Sequence, residues 1–239
     1  MKAWMRLIVF IMTLSVSVLY FIQAQWGFNK RPYQEMVVAV YPAETPFITV
    51  DTVNKMLIQK IKSSSATLKD GIALNEVESE LCAHDMVADA QVFTTISGTL
   101  FAEVYQREPV AKVVSKEVYY IDINAERMPL SPSYTANVPV VSGAISTAQF
   151  AAVRDAVQFI KRHPLYGEVF LGLVEVKDSW FELRLSDQSS TVELGELKDL
   201  ERKLNNYSAF MIKATKDKLL DRYEKISLAF EGQVVGTKK

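Results

Sequence analysis

The pattern of apolar and polar positions opens with one unbroken run. Residues 7–29 carry no charge, are bounded by Arg6 and Lys30, and are almost wholly apolar over 7–22. A helix of that length rises about 34 Å, enough to cross a hydrocarbon layer of about 30 Å. Trp4 lies near one end and Tyr20 and Trp26 near the other, where aromatic rings favour the headgroup region. The pattern predicts a single uncleaved transmembrane helix over 7–24, preceded by a short tail, 1–6. A cleaved leader competes with it, but a cut after Ala24 would put bulky Ile22 where a small residue is preferred. Lys2 and Arg6 balance Lys30 and Arg31, so charge alone leaves the orientation open.

Two changes of period follow. Residues 25–35 show none and read as a tether, and 36–40 read as a strand stopped by Pro42 and Pro46. Thr49 or Asp51 can cap a helix whose apolar positions Val53, Leu57 and Ile61 keep three-to-four spacing, ending at Ser63, Ser64 and Ser65. A second short helix carries Leu74, Val77 and Leu81. Residues 90–96 and 100–106 then form a hairpin about Ser97 and Gly98, which suit a tight turn. Strand, helix, helix, strand, strand makes a compact module over 36–113.

From Val113 onward strands dominate. Residues 118–123 read as a strand and 124–126 as a turn. The stretch 128–139 holds three prolines and reads as ordered loop. A helix over 147–162 puts Phe150, Val153, Val157 and Ile160 on one face and stops before Pro164. Residues 169–176 and 180–185 make a hairpin around Asp178, and 191–194 a strand. A helical stripe follows at Leu197, Leu200, Leu204 and Tyr207. Strands at 225–230 and 233–237 flank a turn at Glu231 and Gly232. The fold class is α+β, with a mainly antiparallel second domain, 114–239, and flanking helices.

Composition removes several function classes. The 239 residues are 49% apolar, and 27 Lys+Arg against 28 Asp+Glu give a net charge of −1. That balance gives no basic face for nucleic acid. The lone Cys82 cannot make an internal disulfide or, by itself, a zinc site; beside an apolar stripe, it reads as a small buried residue. His84 reads as a polar helix end and His163, before Pro164, as a helix C-terminus. The glycine-rich phosphate motifs and the serine-nucleophile motifs are missing. Glu76, Glu78 and Glu80, like Glu196, Asp199 and Glu201, read as solvated helix surface. No catalytic, cofactor-binding or metal-binding residue is expected, and no small-molecule substrate; the chain reads as a non-enzyme.

Three stretches carry a resemblance. Phe47-Ile-Thr-Val-Asp-Thr-Val53, its helix, and His84-Asp-Met-Val-Ala-Asp-Ala-Gln-Val92 resemble the polypeptide-transport-associated (POTRA) pattern, with Asp85 where a proline is frequent. Ser97-Gly-Thr-Leu100 with Val104-Tyr-Gln-Arg-Glu-Pro-Val-Ala111 resembles a signature of the FtsQ/DivIB cell-division family. So do Tyr120-Ile-Asp122, Met128-Pro-Leu-Ser131 and Val138-Pro-Val-Val-Ser-Gly143, the resemblance being particularly close to the Bacteroidota type. The resemblance implies a bitopic divisome scaffold in septum formation. Its N-terminus would be cytoplasmic, and its POTRA and β domains would stand in the periplasm. It implies no catalysis. The implied partners are the FtsB–FtsL coiled coil and, through it, the septal peptidoglycan synthesis machinery.

The last strand, 233–237, is followed only by Lys238 and Lys239, so it is expected at a sheet edge open to strand addition. The resemblance puts the partner site on Phe230, Glu231, Gly232, Gln233, Val234 and Val235, with Thr237 where an aromatic is frequent. Two other classes compete. A POTRA-bearing envelope assembly or secretion adaptor would need a membrane β-barrel that the residues after 113 are too few to form. A secreted peptidoglycan enzyme lacks its nucleophile and metal constellations.

Overall fold

The computed structural model describes residues 2–29, 35–63, 71–95, 97–186 and 190–239, with the backbone alone at 2–3, 5–7, 24–29, 62–63, 71–73 and 221. The chain divides into two compact units, Met1–Gln106 and Arg107–Lys239. This boundary falls ahead of the expected 113/114. Strand β4 (Pro109–Val114), counted with the first module from the sequence, pairs instead with strand β5 (Val118–Asp122) of the second unit.

The first unit begins with helix α1 (Lys2–Asn29), whose described side chains are all exposed. Among the described residues no helix is long and apolar enough to cross a membrane. The expected span 7–24 starts and stops on positions whose side chains lie outside the described set. Residues 25–29 are helical where a tether was expected, since nothing before Pro32 breaks the helix and Gly27 alone costs only about 1 kcal/mol. Residues 30–34 of that tether lie outside the described residues.

Strand β1 (Glu35–Tyr41), helices α2 (Val50–Ser63) and α3 (Gly71–Cys82), and strands β2 (Val87–Thr94) and β3 (Thr99–Gln106) follow in the expected order. The three strands form a sheet in the order β1-β3-β2, with β1 parallel and β2 antiparallel to β3. Thr49 is the cap of α2: its Oγ1 accepts the Thr52 N–H at 3.2 Å. Val53 and Leu57 of α2, Val77 and Leu81 of α3, and Val92, Leu100, Ala102 and Val104 of the sheet are all buried. The β2–β3 turn needs a residue that tolerates positive φ, and Gly98 supplies it at 91°. Ile96, expected to end the first strand, lies outside the described residues.

Two readings of α3 are corrected. Cys82 is exposed, because the buried stripe Val77–Leu81 ends one residue earlier and Cys82 points off it. Glu78 is not bare solvated surface: its Oε1 accepts the Val92 N–H at 2.7 Å and closes that position of the β2 edge. His84 and His163 do end their helices, and each ring Nδ1 accepts a backbone N–H two residues on, from Met86 at 3.2 Å and Leu165 at 3.3 Å.

The described residues of the second unit form one nine-stranded mixed sheet. Besides β4 and β5 it holds β6 (Arg127–Met128), β7 (Val140–Ser142), β8 (Phe170–Lys177), β9 (Trp180–Leu185), β10 (Thr191–Gly195), β11 (Tyr223–Ser227) and β12 (Val235–Lys238). Their order is β12-β11-β10-β9-β8-β7-β4-β5-β6. The pairs β4–β7, β7–β8 and β10–β11 are parallel and the other five antiparallel. Helix α4 (Phe150–Arg162) buries Phe150, Val153, Ala156, Val157 and Ile160, and helix α5 (Leu200–Lys216) buries Leu204, Tyr207 and Ala214. All but Ala214 belong to a single core with Val113, Ile121, Val141, Leu173, Leu183, Val192 and Ile226. Leu197 precedes α5 rather than starting it. Asp199 sits in the left-handed region at φ 51° and the helix begins after it.

Candidate partner-binding edge

The sequence-predicted site lies where β11 hands the chain to β12. Ser227 is the last β11 residue in register, opposite Val235. The Leu228 N–H still donates to Glu193 O of β10 at 2.7 Å. Beyond it the chain arches through Phe230, a turn at Glu231 and Gly232, Gln233 and Val234 before β12 begins. The final strand is therefore Val235–Lys238 and not 233–237, because Val234 turns its side chain onto the core. Of the six candidate residues, Val235 lies in the strand, while Phe230, Glu231, Gly232, Gln233 and Val234 form the arch leading into it.

Within that arch Phe230 is 52% exposed. Glu231 Oε1 accepts from Arg202 Nη1 at 2.9 Å, and Arg202 Nη2 also donates to Asp199 Oδ2 at 2.9 Å. One guanidinium on α5 thus ties the arch to the helix. Gly232 has φ 70° with open space around it. Beneath lies a pocket of about 250 Å³ lined by Trp180, Lys198, Arg202, Asn206, Phe230 and Val234 among others. The sequence does not single out Trp180, Arg202 or Asn206. Only the Asp199/Arg202 spacing at a helix start hints at the cluster.

The charges around the arch are paired. Lys203 Nζ donates to the carbonyls of Leu194 and Glu196 at 2.8 and 2.7 Å, and burial, aided by Arg202 and Lys198, holds its ammonium below the usual lysine range. Glu193 on β10 accepts from Lys225 Nζ at 2.7 Å and Trp180 Nε1 at 2.8 Å. Burial pushes that carboxyl upward, but the hydrogen bonds from Lys225, Ser227 and Trp180 outweigh it and leave it lowered. Among the described residues no group of three or more His, Cys, Asp or Glu could hold a metal ion.

The outer side of β12 follows from one bond. The Lys239 N–H donates to Arg222 O at 2.9 Å, toward β11. Backbone groups alternate in direction along a strand, so Thr237 and Val235 also face β11, while Gly236 and Lys238 face away from the sheet. β12 is the last strand in the sheet order, and no described strand pairs with that outer side.

These features define an α+β protein of two units whose second sheet presents an edge strand beside a half-exposed aromatic. A family model described as FtsQ/DivIB, C-terminal related, matches residues 108–237. That is more than half of the chain, and the protein belongs to the FtsQ/DivIB family. Among solved structures the chain is similar to the major extracytoplasmic domain of the trans isomer of the bacterial cell division protein DivIB from Geobacillus stearothermophilus. The identity is 14% and the TM-score 0.32, over 47% of this chain and 95% of that one. No curated protein matches the chain. Membership in the family points to a role in cell division.

Proposed function

We propose that the chain is a bitopic divisome scaffold without catalysis of its own. Residues 7–24 cross the cytoplasmic membrane once, residues 1–6 are cytoplasmic, and the β-α-α-β-β unit is a POTRA domain in the periplasm. The second unit recruits an FtsB–FtsL type coiled coil by adding a short partner strand to β12, and through it the septal peptidoglycan synthesis machinery. Family membership supports the setting, and the uncharged run 7–29 supports the anchor.

The outward-facing Gly236 and Lys238 backbone groups carry the reading of the site. An edge with unpaired amides adds strands at little cost in reorganisation, and an aromatic at its end supplies an anchor. The test is affinity of the full-length protein, in detergent, for an FtsB–FtsL periplasmic segment, before and after deletion of residues 235–239. The reading expects loss of binding with α4 and α5 still folded by hydrogen exchange. Undiminished affinity in the folded deletion variant would overturn it.

A further inference from the structure

A second surface lies on the first unit, on the sheet face that its helices leave open. Alternation puts Val37, Ala39 and Tyr41 of β1, Phe101, Glu103 and Tyr105 of β3, and Asp89, Gln91 and Phe93 of β2 on that face. Two aromatic pairs stand on it. Phe93 and Phe101 stack at 5.4 Å between centroids, and Tyr41 and Tyr105 at 5.5 Å. Three of these rings are well exposed: Tyr41 45%, Phe93 43% and Tyr105 38%.

Between the pairs the charge is of one sign. Strands β1, β2 and β3 contain no lysine, arginine or histidine, and the open face carries Glu35, Asp89 and Glu103. Among the described residues none of these three carboxylates has an ion-pair partner. The phenol of Tyr105 is held above its usual range, by burial first and then by Glu103 and Asp89. The β2 edge beside this face is closed: the Val92 N–H goes to Glu78 Oε1 at 2.7 Å and the Ala90 N–H to Asp89 Oδ1 at 2.9 Å. A partner therefore meets the face, not that edge.

We propose that this face docks a basic amphipathic helix of a protein partner, whose apolar side chains sit on the two aromatic pairs and whose lysine or arginine reaches Glu103 between them. The spacing sets the pattern. Phe101 and Tyr105 lie four residues apart on β3, about 14 Å at strand rise, which a helix covers in eight or nine residues. The partner carries apolar residues at i and i+8 and a cation at i+4. Arginine suits the central position best, because its planar group pairs with a carboxylate and also lies against aromatic rings. Acidic partners, nucleic acid and anionic lipid meet carboxylates that have no ion-pair partner among the described residues.

The test titrates the full-length chain, in zwitterionic detergent, with a synthetic helical peptide of leucine at i and i+8 and arginine at i+4. A scrambled peptide of equal charge and an i+4 glutamate peptide serve as controls. Fluorescence anisotropy should show saturable binding for the patterned peptide alone. Glu103→Gln and Phe93→Ala should each weaken it about tenfold, with far-ultraviolet circular dichroism unchanged, and Arg202→Ala in the second unit should leave it intact. Equal binding of the scrambled or glutamate peptide would overturn the proposal. So would full affinity in Glu103→Gln, binding to anionic vesicles through Phe93, or self-association abolished by Phe93→Ala.

Discussion

The Arg107 guanidinium closes on the Asp122 carboxylate, with Nη2 at 2.7 Å and Nε at 2.8 Å from Oδ2. The other oxygen, Oδ1, accepts the backbone N–H of Asn124 at 3.0 Å and of Glu126 at 2.8 Å. Asp122 is 1% exposed and Arg107 12% at the side chain. One carboxylate therefore fixes both the start of the second unit and the turn between β5 and β6, where Ala125 takes a positive φ of 60°. Asp122→Ala removes the buried carboxylate, keeps for Arg107 the exposed Glu126 Oε2 at 3.2 Å, and should cost about 3 kcal/mol, the low end for a broken buried pair. The measurement is hydrogen exchange of the β4 and β5 amides; protection unchanged from the parent would remove the pair from the fold's supports.

Two glycines are the next structural test. At Gly98 a Cβ would force a β-branched side chain into the left-handed region, so Gly98→Val should destabilise the first unit by about 1–3 kcal/mol. At Gly172 an added Cβ would lie 1.8 Å from Val140 O, inside the parallel β7–β8 pair. Gly172→Ala should destabilise the second unit by about 2–3 kcal/mol. Urea denaturation followed by unit-resolved exchange distinguishes the two, each variant moving only its own unit.

Much of this frame was legible because it is local. The stripe Phe150, Val153, Val157 and Ile160 marks α4, and the alternation at Leu100, Ala102 and Val104 marks the inner face of β3. Such periodicities need nothing but neighbours in sequence. What could not be read is non-local. The parallel pairs β4–β7 and β10–β11 join segments far apart in the chain, and no period announces them. Glu78 reads as surface until β2 brings the Val92 amide to it. At the candidate site the expected strand starts too early: Val234, apolar in an apolar run, looks like strand and instead turns onto the core. Arg202 reaches the site from another element, and only its spacing from Asp199 at the helix start marks it in the sequence.

Acid should weaken the second unit through Glu193. Its carboxyl is lowered below the ordinary 4.5, so the folded state favours the ionised form more than the unfolded state does. The contribution is whole above that value and drains away as pH falls through the lower, folded one. Glu193→Gln should flatten this part of the acid limb in denaturation midpoints measured from neutral pH downward. An acid limb identical to the parent's would assign the dependence to other carboxylates.

For the proposed anchor, Leu14→Arg places a charge at the centre of the run 7–24. Insertion should be penalised by about 2.5–3.5 kcal/mol on translocon scales. Carbonate extraction reads it directly: the parent stays with membranes and keeps Met1, while the variant moves to the soluble or degraded fraction. A mature N-terminus at Gln25 in the parent would show a cleaved leader instead.

The edge itself is tested by two prolines one residue apart. The Lys238 N–H faces away from β11 and the Thr237 N–H toward it, by alternation from the Lys239 bond to Arg222. Proline deletes a donor in either case. Lys238→Pro should leave the melting temperature near the parent's and abolish most binding to the FtsB–FtsL segment. Thr237→Pro should lower the melting temperature, because it breaks the β11–β12 pair. Phe230→Ala, at a ring 52% exposed, should cost about 1–3 kcal/mol of binding and little stability. Arg202→Ala frees Glu231 and loosens the arch, so it should raise the dissociation rate without changing which residues pair. If Lys238→Pro binds the partner as tightly as the parent while Phe230→Ala does not, recognition rests on the arch and its pocket, and strand addition at β12 is wrong.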